Sequence, residues 1–77
     1  MYSYTLAKKI DNQVFKDACN KIEKAFPSAE KGKLLVDVDG SLLRDYSIGG
    51  KKIRVQNDCE VDAVYVDSEL DLQKIFA

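Results

Sequence analysis

The sequence contains no histidine, and it has only one proline, two cysteines and four glycines. Without histidine the chain cannot form Ser-His or Cys-His nucleophile pairs, and it lacks the usual general base near neutral pH. Two cysteines without histidine also fall short of the ligands of a zinc site. We therefore expect a protein that is not an enzyme and that has no cofactor and no metal site.

The two cysteines, Cys19 and Cys59, are too few for the disulfide framework of a small secreted domain. We predict that both are reduced and structural, because free cysteine behaves as a small buried hydrophobe. No stretch approaches the roughly 18 apolar residues that span a bilayer, and the N-terminus lacks the pattern of a secretory signal. We therefore expect a cytoplasmic protein.

The residues that are present favour a single small domain over residues 1–77. Of the 77 residues, 45% are hydrophobic, including four tyrosines and three phenylalanines. This composition is typical of globular rather than disordered chains. A chain of this length buries only about 60–65% of the surface that its unfolded form exposes, so we expect a modest core.

One helix is predicted with clear ends. Apolar residues from Val14 to Phe26 recur at helical spacing and form a single stripe. Asp11 stands where an N-cap residue is needed, and Pro27 disfavours helical backbone at the residue before it. We therefore predict a helix over residues 11–26.

Strands are predicted on both sides of this helix. Tyr2, Tyr4 and Leu6 alternate with polar residues, which is the period of a strand. Similar patterns recur in four later segments, and Ser68 with Asp71 resembles a capping box that begins a short C-terminal helix. The predicted fold is α+β, in the order β-α-β-β-β-β-α, with a mainly antiparallel curved sheet and the long helix packed on one face. The four later strands are predicted at 33–38, 41–48, 51–56 and 60–66.

Two glycine-containing dipeptides predict hairpin turns. A two-residue turn at Gly49-Gly50 brings Asp45 opposite Arg54, which forms a cross-strand pair of opposite charge. The predicted pairs are Ile48 with Lys51, Tyr46 with Ile53, and Asp45 with Arg54.

The dipeptide Asp-Gly at 39–40 leaves its register open. A two-residue turn pairs Val36 with Leu43, whereas a three-residue turn pairs Val38 with Leu42. If Asp39 and Gly40 only form a turn, Asp37 is expected to point to solvent.

The run Asp-Val-Asp-Gly-Ser-Leu from Asp37 to Leu42 also resembles the first motif of the haloacid-dehalogenase-type phosphatases. The resemblance implies Asp37 as nucleophile and Asp39 as general acid/base, with magnesium between carboxylate and phosphate. That family fold needs several parallel βαβ units, and each parallel crossover takes a dozen or more residues. Because only 36 residues follow Ser41, we favour the hairpin.

A calcium loop is the other interpretation of this run, with ligands at Asp37, Asp39 and Ser41. The EF-hand pattern requires glycine at its sixth position and glutamate at its twelfth. This chain has Leu42 and Ile48 at those positions. We therefore prefer the simpler interpretation, in which Asp39 and Gly40 form only the turn of a hairpin.

The charge is divided unevenly along the chain. Residues 1–56 hold eleven basic and seven acidic residues, whereas residues 57–77 hold one basic and six acidic residues. Such asymmetry can mark an interaction face, although these acids could also serve only solubility and helix capping. We expect a non-enzymatic protein-binding module, a regulator or inhibitor that docks on a larger partner with a basic surface. The expected partner-binding residues are Asp58, Glu60, Asp62, Asp67, Glu69 and Asp71.

Two other partner types are retained as hypotheses. Nucleic acid could bind a basic hairpin tip and the helix lysines, although the sequence pI of about 5.3 argues against a net basic face. A homodimer could bury a sheet edge or the face that carries Val64 and Val66. The residues of the nucleic-acid alternative are Lys51, Lys52 and Arg54, with Lys16, Lys21 and Lys24.

Residues 11–38 resemble, in order, the start of the DinI-like regulators, with a helix that ends Ile-Glu-Lys-Ala-Phe-Pro before a hairpin. Members of that family end in an acidic helix that binds a recombinase filament. This chain departs from them by adding predicted strands at 51–56 and 60–66 and by a shorter final helix. Small accessory proteins of phages and mobile elements have a similar character, by analogy only.

Overall fold

The computed structural model describes residues 1–76, which form six strands and two helices. The predicted α+β class and element order are confirmed, with a two-residue strand added between the predicted helix and the strand predicted at 33–38. The strands are β1 (Tyr2–Ala7), β2 (Glu30–Lys31), β3 (Leu35–Val36), β4 (Leu42–Ile48), β5 (Lys51–Asp58) and β6 (Ala63–Ser68), and the helices are α1 (Asn12–Ala25) and α2 (Gln73–Phe76).

The strands form one open, curved sheet in which all pairs are antiparallel. The strand order is β1-β6-β5-β4-β2, and β3 also pairs with β4. β6 lies between β1 and β5, a central position that fits its apolar residues on both faces. The short strands β2 and β3 pair with opposite ends of β4.

Helix α1 begins and ends where its sequence predicts. One carboxylate oxygen of Asp11 accepts hydrogen bonds from the backbone N–H of Gln13 at 2.9 Å and of Val14 at 3.2 Å. These bonds satisfy two of the amides that a helix N-terminus leaves free. At the other end the helix stops before Phe26 and Pro27, whose ring is incompatible with continued helix.

The core lies between α1 and one face of the sheet. The helix contributes Phe15, Ala18, Cys19 and Ile22, and these pack against side chains from β4, β5 and β6. Leu72, just before α2, completes the core. Burial also raises the pKa of the Cys19 thiol, so it stays protonated as a packing residue.

The core settles two further predictions. Both cysteines are free, and Cys19 is buried as predicted, whereas Cys59 is only half-buried. Val64 and Val66 are completely buried in the core, so they cannot form a subunit interface. That part of the homodimer hypothesis is wrong. The other surface of that hypothesis, a sheet edge, stays a prediction, and sedimentation at two concentrations tests whether a dimer forms.

The hairpin at Gly49-Gly50 has the predicted register. Both glycines have positive φ, at 57° and 82°, as a two-residue type I′ turn requires. The guanidinium of Arg54 donates hydrogen bonds of 2.8 and 3.0 Å to the two carboxylate oxygens of Asp45. The observed pairs include Ile48 with Lys51, Tyr46 with Ile53, and Asp45 with Arg54.

The hairpin between β3 and β4 has neither of the two predicted registers. Its strands pair Leu35 with Leu43 and Val36 with Leu42. The backbone N–H of Asp37 donates to the carbonyl of Ser41 at 2.9 Å, which leaves a three-residue loop over 38–40. Only the glycine of the Asp-Gly dipeptide has a positive φ, at 88°, so the two-residue turn that needs two such residues does not form.

Strand β6 begins three residues later than predicted. Residues 59–62 form a turn, in which Asp62 takes a positive φ of 53°, a conformation that aspartate tolerates better than most residues. The strand then continues to Ser68, whose hydroxyl accepts from the N–H of Leu70 at 2.9 Å. Ser68 therefore ends a strand rather than capping α2, and Asp71 accepts from the N–H of Gln73 at 3.0 Å instead.

Candidate protein-binding surface

The two faces of the sheet differ in chemistry. Along β5 and β6 the side chains alternate between buried and solvent-accessible, because successive residues of a strand point to opposite faces. We call the face opposite α1 the open face. Strand pairing places two rows of residues across it, one of Thr5, Tyr65, Gln56, Leu43 and Leu35 and one of Ser3, Asp67, Arg54 and Asp45.

Four of the six predicted partner-binding acids lie on the open face or at its rim. Asp58 and Asp67 project from β5 and β6 on this face. Glu60 and Glu69 follow the ends of the same strands. They form two groups at opposite ends of the face, so the acids do not form a single continuous patch. Asp58 and Glu60 lie at one end, and Asp67 and Glu69 at the other.

The two remaining acids hold the fold together. One carboxylate oxygen of Asp62 accepts from the backbone N–H of Ile10 at 3.0 Å and so ties the 59–62 turn to the start of α1. A carboxylate oxygen of Asp71 accepts from the hydroxyl of Tyr4 at 3.1 Å, and the same hydroxyl accepts from the N–H of Leu72 at 2.7 Å. These bonds connect β1 with the segment before α2.

The first group of acids lines a cleft of about 400 Å³ between the β3–β4 hairpin and the end of β5. We call it the acidic cleft, because Asp37, Asp39, Asp58 and Glu60 line it without any lysine or arginine. Asp37 is exposed, as predicted, but sequence reasoning did not connect it with Asp58. The cleft is lined by Leu35, Val36, Asp37, Asp39, Ser41, Leu42, Leu43, Gln56, Asp58 and Glu60.

Neutral donors, not cations, contact these carboxylates. A carboxylate oxygen of Asp39 accepts from the backbone N–H of Ser41 at 2.9 Å, which lowers the pKa of Asp39 and keeps it ionised. The two carboxylate oxygens of Asp58 accept from the N–H of Glu60 at 2.9 Å and from the hydroxyl of Tyr65 at 3.2 Å. Burial and the bond to Asp58 raise the pKa of Tyr65, so this hydroxyl remains a donor.

No ion pair neutralises the cleft within residues 1–76. The ion pairs that residues 1–76 do form join Lys31 to Glu23 at 3.3 Å and Arg54 to Asp45 at 2.8 Å. The carboxylates of the cleft therefore have no direct cationic partner within residues 1–76. In the same residues no group of three acids or cysteines is close enough to hold a metal ion.

The second group of acids lines a mixed-charge pocket, also of about 400 Å³. Here Asp67 and Glu69 lie beside Lys52 and Arg54, so acidic and basic side chains alternate. The backbone N–H of Lys52 donates to the carboxylate of Glu69 at 2.8 Å. This pocket therefore contains two of the three hairpin cations of the nucleic-acid alternative, Lys52 and Arg54. The third, Lys51, is exposed but does not line the pocket.

Exposed apolar side chains border the acidic cleft. Val38 is fully exposed, and Val36 and Leu35 are 64% and 56% exposed. Leu34 is also exposed. We call Leu34, Leu35, Val36 and Val38 the apolar hairpin. The sequence pattern predicted a longer strand here, and it gave no signal that these side chains would remain in solvent.

Comparisons of the chain with protein-family models, with curated proteins and with solved structures find no match. Neither of the family resemblances in the sequence is therefore accompanied by a family match. Within residues 1–76, no helix has the length and apolar character needed to cross a membrane.

Proposed function

We propose that this chain is a non-enzymatic protein-binding module, a regulator or inhibitor that docks on a basic surface of a larger partner through its open face. The observation that carries the proposal is the acidic cleft, in which four carboxylates have no cationic partner. An uncompensated patch of one sign attracts and orients a partner of the opposite sign.

The neighbourhood of the cleft supports the same proposal. Protein interfaces combine an apolar centre with a polar rim, and contiguous exposed apolar side chains often mark interaction sites. The apolar hairpin supplies exposed valine and leucine side chains beside the carboxylates. Of the six acids expected from the sequence to bind the partner, we infer that Asp58 and Glu60 contribute most, followed by Asp67 and Glu69.

Charge reversal on the open face tests the proposal. A tagged wild-type chain is used to capture partners from its host, in parallel with the double variant Glu60→Lys/Glu69→Lys. The control Asp17→Lys makes the same kind of change on the exposed face of α1. We expect wild type and control to retain the same basic proteins in a salt-sensitive way, and the double variant to lose them.

Circular dichroism must show that the double variant is folded, since Glu69 also accepts a backbone bond from Lys52. Undiminished capture by a folded double variant would contradict the proposal. Capture lost equally with Asp17→Lys would show that general charge, not the open face, governs binding.

Nucleic-acid binding is the alternative, and the exposed Lys51 and Lys52 at the tip of the β4–β5 hairpin favour it. Against it, Arg54 is held by Asp45, and Lys52 shares the mixed-charge pocket with Asp45, Asp67 and Glu69. Titration of labelled DNA and RNA at low salt separates the two functions. We expect no measurable affinity for either nucleic acid. Tight binding by the wild type, weakened in Lys51→Ala/Lys52→Ala, would favour the alternative.

A further inference from the structure

We propose that the acidic cleft and the apolar hairpin together bind one peptide segment of the partner, in which arginine or lysine residues alternate with apolar residues. This inference rests on the proposed function and adds the place and the chemistry of the contact. It is carried by the geometry of the β3–β4 hairpin and by the charge of the residues around it.

The side chains of the apolar hairpin are exposed and do not belong to the core. Strand β3 has only two residues and pairs with β4 alone. Val38 stands at its tip, fully exposed. An exposed apolar segment at a sheet edge favours unwanted association, so its exposure is costly unless a partner covers it.

The cleft provides an apolar floor next to a charged rim. Strand pairing sets Leu35 beside Leu43, and Leu43 beside Gln56, on the open face. One step further along the strands, Asp37 bonds to Ser41 through the backbone, and Asp58 lies at the end of β5. A peptide lying here could place an apolar side chain on the leucines and a basic side chain on the carboxylates.

Charge complementarity decides the nature of this occupant. All charged residues that line the cleft are acidic, and the fold provides no ion pair for them within residues 1–76. The carboxylates are too dispersed for a single metal ion, whereas several basic side chains spaced along a peptide can reach them separately. Arginine suits such sites because it binds carboxylates with two parallel hydrogen bonds.

Three synthetic peptides and the full chain test the inference. The first alternates arginine and leucine, the second replaces each arginine by neutral citrulline, and the third replaces each leucine by serine. We expect the first to bind, with NMR shift changes concentrated in residues 35–43 and 56–60. The other two should bind about tenfold more weakly or not at all, because each lacks one of the two complementary features.

Two variants locate the site on the protein. Val38→Ser removes an exposed apolar side chain, and Glu60→Lys reverses a rim charge, and neither change touches the core. Each should weaken binding of the first peptide several-fold. The matched controls Ile10→Ser and Asp17→Lys alter an exposed apolar residue and an exposed acid outside the cleft, and both should bind like wild type.

Three results would overturn the inference: equal binding of all three peptides, unchanged binding by Val38→Ser and Glu60→Lys, or the same NMR shifts with calcium chloride alone. If the peptides fail while Glu60→Lys/Glu69→Lys still abolishes capture of partners, the inference falls and the proposed function stands. If that double variant captures normally as well, the proposed function falls too.

Discussion

The two hairpins of β4 differ although each has a glycine-containing turn. The β4–β5 hairpin has a two-residue turn and seven consecutive paired positions, with Tyr46 and Ile53 buried on its inner face. The β3–β4 hairpin has a three-residue loop and two paired positions, and its apolar side chains are exposed. A turn signal therefore predicts a reversal of the chain, but burial decides how far the strands then extend.

The apolar side chains of the two hairpins differ in burial, and we infer that they differ in role. In β5 the apolar residues alternate with polar ones and enter the core, so their burial accounts for their presence. In the β3–β4 hairpin comparable residues are adjacent in sequence and remain in solvent. The first hairpin should carry stability, and the second should carry little stability and be available for binding.

The largest expected difference is between truncations in the two hairpins. Ile53→Ala should lower the free energy of unfolding by about 2–5 kcal/mol, because it leaves a cavity at a fully buried position. Leu35→Ala should change it by less than about 0.5 kcal/mol, because its side chain is more than half exposed. Urea unfolding followed by circular dichroism measures both values.

Ile53→Val serves as the milder variant if Ile53→Ala fails to fold, with an expected loss of about 1 kcal/mol. Similar losses from Leu35→Ala and from the Ile53 variants would mean that the β3–β4 hairpin is as much a part of the stable structure as β5. The contrast between the hairpins would then be wrong.

A second effect lies where β4 meets helix α1. The hydroxyl of Tyr46, on β4, donates to a carboxylate oxygen of Glu23 at 2.6 Å. Tyr46→Phe should cost about 1–2 kcal/mol at neutral pH, because the aromatic packing remains and the charge-assisted hydrogen bond to Glu23 is lost. The loss should be clearly smaller than that of Ile53→Ala in the same urea assay.

The pH dependence of this bond has a definite sign. The hydrogen bond from Tyr46, together with the charge of Lys31, lowers the pKa of Glu23 below its ordinary 4.5. A carboxyl with a depressed pKa stabilises the fold fully above its unfolded pKa, and the contribution disappears as pH falls through the folded pKa. The stability difference between wild type and Tyr46→Phe should therefore shrink below about pH 4.5, and a difference that grows in acid would contradict this linkage.

Sequence reasoning predicted the features that local signals determine. The ends of α1 follow from Asp11 and Pro27, and the register of β4 and β5 follows from two adjacent glycines, because each of these signals acts over a few residues. It misplaced the start of β6, because Val61 is apolar but lies exposed in the 59–62 turn. It also took Ser68 for a cap, since a capping pattern does not reveal that the residue is still paired with β1.

The candidate site was only partly predictable. The acidity after residue 57 is visible in the sequence, and so are Asp37 and Asp39. Their meeting in one cleft depends on strand pairing between β4 and β5, which brings Asp58 close to the β3–β4 hairpin. No local pattern distinguishes Asp58 from Asp62, whose carboxylate accepts a hydrogen bond from the backbone N–H of Ile10.

Substitution of the turn glycines should produce a smaller difference in stability between the two hairpins. Gly50→Ala places a side chain at φ 82°, and Gly40→Ala does so at φ 88°, a strain of about 1–2 kcal/mol at either site. Gly50→Ala should lower the free energy of unfolding by about that amount. Gly40→Ala should lower it by less, because the short β3 pairing can open locally and release the strain.

Amide hydrogen exchange provides the second readout for these glycine variants. In Gly40→Ala, faster exchange should be confined to residues 35–43. In Gly50→Ala the acceleration should extend along β4 and β5, because these strands open only with the core. Faster exchange throughout the sheet in Gly40→Ala would show that the two hairpins are one cooperative unit.

The smallest expected effect concerns the most conspicuous ion pair of the regular hairpin. Arg54 and Asp45 lie opposite each other with their side chains 51% and 41% exposed, and such pairs contribute about 0.2–1 kcal/mol. A double-mutant cycle with Asp45→Ala and Arg54→Ala should give a coupling in that range, smaller in high salt. Cross-strand NMR contacts between β4 and β5 should persist in both variants, because Gly49-Gly50 and the buried pair of Tyr46 and Ile53 fix the register. If either variant shifted the register, the ion pair would have to be counted among the causes of the hairpin's regularity.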